Sequence, residues 1–368
     1  MASIPQILSW IVRDVYHGWS PLPLPPAGSF AGQTVCVVGG STGLGLASAE
    51  HCVNLGAAEV IITSRGASRA NAAKEYLEGK AAAIAATTGA SECRVTGMIL
   101  DMNRYDSVVG FAEDLKKIKK GQGGLDFILL NAAVIQSRFV QSPEGWQEEL
   151  QVNTLSSVLL ALLLMPWLRA ERRNRYSPAH LAFTTSSASL ANDISKWEGW
   201  SSQNGGEGIL NHWNKKETWP PGLSGGYGIS KALLMYACRE LVKMAVGPDG
   251  KPWVIINSME PGMVKTEIQR HILENSPALE FLGDIFVSAV FKTSENGARI
   301  LIMGGLTTEE EHGHRLSRLY PHEEYMNMPV VASPMAKRLQ QIVWNEITGI
   351  LAKAVPEAKQ CLTELRSP

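Results

Sequence analysis

Two segments pair a tyrosine with a lysine four positions on: Tyr76 and Lys80 in YLEGK, and Tyr227 and Lys231 in YGISK. One helical turn apart, such side chains share a face. A free tyrosine has a pKa of about 10. A nearby ammonium, or the positive ring of an oxidised nicotinamide, favours tyrosinate and lowers that value. A tyrosine so placed can donate a proton to a carbonyl oxygen as hydride arrives at carbon. Two further polar residues fit that chemistry. Ser186 ends the apolar run HLAFTTSS and could hold the carbonyl oxygen, with Ser187 one register step away. Asn153 interrupts the long apolar stretch WQEELQVNTLSSVLLALLLMPWL, and could order a water that links Lys231 to solvent or simply bond to backbone.

The elements around the two pairs separate them. From residue 33 onward, apolar runs alternate with amphipathic ones: TVCVVGG, EVIITSR, CRVTGMILDM, LDFILLNAAV, HLAFTTSS and WVIINSMEPG read as six strands with helices between them. Such regular alternation predicts a doubly wound parallel sheet with helices on both faces. Tyr76 and Lys80 fall in the helix after strand two, at an exposed terminus with Gly79 as the stop. Tyr227 and Lys231 open the helix after strand five, beyond the topological switch point where such sheets bind their ligands.

The first strand runs into Gly39-Gly40-Ser41-Thr42-Gly43-Leu44-Gly45. Glycines allow a tight turn and close approach to a phosphate. The helix that starts there offers free amides and the positive end of its dipole to a pyrophosphate. Strand two ends in Thr63-Ser64-Arg65, with no carboxylate for the ribose hydroxyls. Ser64 and Arg65 suit a 2′-phosphate, and Arg69 lies one turn on, so NADP(H) is the expected cofactor. A hydrogen bond to a charged group contributes roughly 1.5–3 kcal/mol, about a 10- to 150-fold preference over NAD. Asp101, with Met102 beside it, either accepts from an adenine amino group or caps the next helix. Asn131, Ala132 and Ala133 end strand four and let a cofactor lie across it.

The 368 residues are 45% apolar and 19% charged, enough for a sizeable core, and the net charge of −1 gives no support to nucleic-acid binding. Five scattered cysteines, with no Cys-x-x-Cys, fit reduced thiols in an intracellular, cytoplasmic protein. EHGHR at 311–315 has histidines two apart, but nothing else completes a metal site, and none is expected. The expected organisation is a helix and Pro-rich linker over 1–30, a main domain over 31–332 with an insertion at 190–223, and a C-terminal helix and tail over 333–368. The first helix, SIPQILSWIVRDVYHGW, is too short to span a bilayer. It packs on the protein's own surface or touches a membrane surface or partner. The insertion carries Trp197, Trp200, Trp213 and Trp219, a lid or wall over a large apolar substrate, or else a surface or dimer contact. Residues 306–335 read as polar and irregular. In the last helix Ser333 is the cap and Pro334 suits the first turn.

Over roughly residues 31–305 the chain resembles the short-chain dehydrogenase/reductase family. The resemblance rests on GGSTGLG (39–45), Asp101, NAA (131–133), Asn153, the TTSS strand end, YGISK (227–231) and EPGMVKT (260–266). It implies a Rossmann-type domain and a catalytic tetrad of Ser186, Tyr227, Lys231 and Asn153. It also implies that Pro261, Gly262, Val264 and Thr266 lie near a nicotinamide. Three departures stand out: Leu130 and Ala133 in place of the outer residues of the usual NNAG, Val38 before the first glycine, and 41 positions between Ser186 and Tyr227 where far shorter spacings are usual. The long insertion and C-terminal part are similar to fungal and retinol-dehydrogenase-like members. That likeness implies a ketoreductase acting on a bulky lipophilic molecule, such as a polyketide or terpenoid intermediate of secondary metabolism. The rival readings are a non-redox isomerase, dehydratase or cyclase on the same fold, and a non-catalytic binding protein. The family also implies a homodimer or homotetramer through helices around 144–170 and 227–246, unless the long tail covers those faces.

Overall fold

The computed structural model describes residues 12–13, 16, 20–121, 123–220, 223–265 and 291–366. The first strand, β1 (Thr34–Val38), is apolar and almost wholly buried, as a strand covered on both faces must be. The same holds for β2 (Glu59–Ser64), β4 (Phe127–Leu130), β5 (Ala179–Thr184) and β6 (Val254–Glu260), while the edge strand β3 (Arg94–Ile99) is partly open. A seventh strand, β7 (Arg315–Ser317), closes the other edge in a stretch expected to be irregular. Its three residues are too few to show a period; pairing with β6, Ser258 against Arg315 and Glu260 against Ser317, creates it. The order is β3-β2-β1-β4-β5-β6-β7, and every pairing is parallel. The chain reverses direction across the sheet between β1 and β4, so a crevice opens beyond their carboxyl ends.

Helices α1 (Gly43–Asn54), α2 (Ala67–Thr88), α3 (Tyr105–Ile118), α4 (Ser157–Glu171), α5 (Gly228–Met244) and α6 (Ser294–Met303) cover the two faces. Helix α2 runs through Gly79 and ends only before Gly89, whose φ of +70° makes the left-handed stop. A glycine inside a helix costs about 1 kcal/mol, and packing of Ala73, Leu77 and Ala81 outweighs that. Tyr76 and Lys80 therefore sit on an exposed helix face, both bound to Glu50, far from the crevice. Helix α4 is entered through a π-helical turn, Leu150–Ser156, and its residues are almost all buried. Its long apolar run is the central core helix.

Two C-terminal helices, α7 (Pro334–Ala354) and α8 (Pro356–Arg366), follow. Ser333 Oγ accepts from the Ala336 amide at 3.1 Å, the expected cap. The apolar stripe Leu339, Ile342, Val343, Ile347 and Leu351 of α7 is buried against α5, and α8 packs on α4. The faces expected to join subunits are thus covered by the chain's own tail. Burying a large aliphatic side chain contributes about 1.5–3 kcal/mol, so five of them favour the intramolecular seat strongly. The protein is expected to run as a monomer in light scattering at micromolar concentration. A chain cut before Ser333 is expected to dimerise or aggregate; a full-length dimer that survives dilution would refute this account.

The tryptophan-rich insertion also differs from expectation. Trp197 and Trp219 are buried, and Trp200 and Trp213 pack edge to face at 5.0 Å. The short helices Trp197–Trp200 and Ile209–Trp213 lie against α7, with Glu346 accepting from the amides of Ile209 and Leu210. None of the four tryptophans lines the crevice. These two short helices have found a partner in α7, whose stripe lies more than a hundred positions along the chain.

Candidate active site

The crevice is a cleft of about 700 Å³. Its floor begins at the loop after β1. Gly39 takes φ +75°, and a Cβ there would lie 2.9 Å from the Ala132 backbone. The Gly39 amide donates to Thr63 Oγ1 at 2.9 Å, which ties the loop to the end of β2. Ser41, Thr42, Gly43 and Leu44 line the cleft, and no side chain caps α1, so its first amides remain for a ligand. Gly45 does not line the cleft. A Cβ on it would fall 2.0 Å from the Gly39 carbonyl oxygen, so its role is to let α1 approach the turn.

Ser64, Arg65 and Arg69 line one end of the cleft. Both arginines are exposed, and neither shares a hydrogen bond or ion pair with another described residue. Asp101 and Met102 line the same end. Asp101 Oδ1 accepts from the Asn103 amide at 3.0 Å, which holds the turn before α3. Asn131, Ala132 and Ala133 form the middle of the cleft, and the Asn131 side chain accepts from Thr184 Oγ1. Pro261, Gly262 and Val264 line the far end; Thr266 lies outside the described residues.

Ser186, Ser187, Tyr227 and Lys231 all face the cleft. The serine, tyrosine and lysine come together because β5 and α5 end and begin at the same rim. Ser186 Oγ accepts from the Ala188 amide at 3.2 Å, which fixes its rotamer, and its hydroxyl acts on Tyr227 across the rim. Lys231 is 2% exposed and donates from Nζ to the Thr184 carbonyl at 2.8 Å. Its ammonium lies 5.7 Å from the Tyr227 ring centroid. Burial pushes the lysine pKa down to about 8. The tyrosine moves opposite to expectation: burial, then the charges of Glu149 and Glu260, raise it, against the pull of the Ser186 hydroxyl. Within the chain itself Tyr227 is held protonated.

Asn153 lies in the π-turn and is fully buried. Its Oδ1 accepts from the Val134 amide at 2.8 Å, and its Nδ2 donates to the Val134 carbonyl and to Ser230 Oγ. The side chain does not line the cleft and has no donor left for a water beside Lys231. It instead locks the segment after β4 to the start of α5, a positioning task that backbone pairing explains.

The sequence pattern described as short chain dehydrogenase matches residues 33–196. The chain is 29% identical over 343 residues to the short-chain dehydrogenase/reductase ffsI of Aspergillus flavipes, covering 93% of this chain and 92% of that protein. It is 29% identical over 330 residues to the short-chain dehydrogenase/reductase phmF of Phaeosphaeria nodorum, covering 89% of each. Over most of its length the chain is thus similar to short-chain dehydrogenases/reductases. Among solved structures, L-sorbose reductase from Gluconobacter frateurii, complexed with NADPH and L-sorbose, shares the fold at a TM-score of 0.54 and 17% identity, covering 79% of this chain and 97% of that one. The similarity to short-chain dehydrogenases/reductases supports an oxidoreductase.

Several residues at this site escaped the sequence reading. Thr63 clamps the glycine loop. Gln136, Glu148 and Ala188 line the cleft. Glu149 is fully buried; burial, its largest influence, raises its pKa to about 7 despite hydrogen bonds from the Gln136 amide and Gln147. An acid one turn before Asn153 in an apolar helix was the available signal. The histidines of EHGHR are occupied otherwise: His312 bonds backbone at Ile256 and Val242, and His314 stacks on His322.

Proposed function

We propose that the protein is an NADP(H)-dependent oxidoreductase of the cytoplasm that interconverts a ketone and a secondary alcohol on a bulky lipophilic small molecule. The observation that carries this reading is Ser186, Tyr227 and Lys231 at one rim of a cleft whose opposite end holds two unpaired arginines. The cradle fits a dinucleotide: Gly39 to Leu44 would hold the pyrophosphate, and Ser64, Arg65 and Arg69 the 2′-phosphate. Asp101 and Met102 would border the adenine, Asn131 and Ala132 the inner ribose, and Pro261, Gly262 and Val264 the nicotinamide. When bound, the nicotinamide supplies or takes a hydride at its C4. Ser186 Oγ orients the substrate oxygen. Tyr227 donates its phenolic proton to that oxygen in reduction and takes it back in oxidation. Lys231 holds the nicotinamide ribose and supports the tyrosine with its positive charge. The full-length fungal relatives favour a secondary metabolite, such as a polyketide or terpenoid intermediate, as the substrate class.

Binding of NADPH and NADH, followed by energy transfer from tryptophan to the reduced nicotinamide, tests the reading without a known substrate. NADPH is expected to bind at least about tenfold more tightly than NADH. Binding of neither would end the hydride-transfer reading. The lysine adds a pH test. A lysine carries its charge below its pKa, so the ammonium is present below about 8 and lost above it. The rate of ketone reduction is expected to fall as pH rises through that value; a rate still flat well above it would count against Lys231.

A further inference from the structure

Glu260 ends β6 immediately before the Pro261–Gly262 turn and is 2% exposed. Its Oε1 accepts from the Gly262 amide at 3.1 Å, and its Oε2 accepts from Ser317 Oγ at 2.5 Å. Ser317 Oγ in turn accepts from the amides of Leu319 and Tyr320, at 3.0 and 3.4 Å. Gly262 and Leu319 both line the cleft. One carboxylate therefore ties together two segments of its wall, across the junction of β6 with the short edge strand β7. Arg315, one of the β7 residues, lies 3.7 Å from the same carboxylate, with both side chains almost wholly buried. Among the described residues its Nη1 and Nη2 have no hydrogen-bond partner, and the guanidinium lies 5.1 Å from the Tyr325 ring centroid. A buried guanidinium with so few partners is expensive. Here it balances the charge of Glu260 and otherwise packs on an aromatic face.

We propose that Glu260 is a positioning residue: with Ser317 and Arg315 it forms a buried clasp that sets the spacing of Gly262 and Leu319, and so the seat of the nicotinamide. The proposal rests on the reading of the cleft as a dinucleotide site. Among the described residues, the groups that face Glu260 are Arg315 and Ser317 from β7, the Gly262 amide from its own turn, and Tyr320 from beyond β7. Lys292 donates to the Pro261 carbonyl from the other side of the turn. Beyond the clasp, the charge of Glu260 also reaches Tyr227.

The clasp touches only the nicotinamide end, so two ligands separate positioning from general support of the fold. Adenosine 2′,5′-bisphosphate reports the adenosine end, and NADPH reports both. Glu260→Met with Arg315→Met removes both charges at similar volume. In that variant NADPH is expected to bind at least about tenfold more weakly, the loss of hydrogen bonds to a charged acceptor, while the bisphosphate stays within about twofold. Glu260→Gln with Arg315→Met restores an acceptor for Gly262 and is expected to recover most of the NADPH affinity. Ser317→Ala changes no charge and gives the same one-sided loss at smaller size, which keeps the test open if the double variant does not fold. Loss of both ligands together, loss of neither, or no recovery with Gln overturns the proposal. Failure of the unaltered protein to bind NADPH or NADH would instead overturn the dinucleotide reading itself.

Discussion

Tyr227→Phe is expected to lower turnover by about a thousandfold, within the roughly 10²–10⁴ that a positioned proton donor contributes, and to leave NADPH affinity within about twofold. The phenol lines the cleft near Ser186, and burial pushes its pKa up. It is therefore protonated over the working range and can deliver that proton to a carbonyl oxygen. Phenylalanine keeps the ring and its packing, so the fold should not change. Single-turnover kinetics with a lipophilic aromatic ketone, alongside NADPH titration and thermal melting, checks all three statements. Turnover retained within tenfold would show that another group gives the proton, and the buried Glu149 would be examined first. If the variant also lost cofactor binding, the defect would lie in packing and not in proton transfer.

The second large effect concerns the other end of the cleft. Replacing Arg65 and Arg69 together by Ala is expected to weaken NADPH by about 10- to 150-fold, the range for losing hydrogen bonds to a charged group, and to leave NADH almost unchanged. Both guanidiniums line the cleft and have no partner among the described residues, so their removal unpairs nothing in the protein. They are exposed, which places the effect nearer the low end of the range at physiological salt and makes it grow as salt is lowered. Binding isotherms for both cofactors at two ionic strengths decide the matter. Equal weakening of NADPH and NADH would place the arginines on the pyrophosphate or the fold instead. No weakening of either would leave the specificity to Ser64 and the loop amides.

The core of the fold was legible because its signals are local. Buried parallel strands are short continuous apolar runs, and six of the seven could be read that way. The seventh has three residues and exists only because β6 offers an edge to pair with. Gly79 looked like a stop because a glycine lowers helix propensity locally, whereas the length of α2 is set by the stripe it buries. The tryptophans of the insertion illustrate the same limit. Their apolar character showed that they must be covered, and sequence could not say by what. For the two short helices that carry Trp197, Trp200 and Trp213 the answer is α7, and the cleft keeps a wall without them.

For the site, residue types and order along the chain determined which groups could do chemistry: a glycine loop between strand and helix, arginine after the second strand, serine after the fifth, tyrosine and lysine one turn apart. These depend on strand ends and helical period, which are written into the nearest neighbours. Only the tertiary structure decided what those groups do to one another. Glu149 and Glu260 come from distant elements to flank Tyr227, and together with burial they reverse the expected direction of its pKa. Val134 takes the amide of Asn153. The tail covers α4 and α5, faces that would otherwise be free to pair. Electrostatic shifts and covered surfaces are sums over atoms far apart in sequence, so they exist only once the chain is folded.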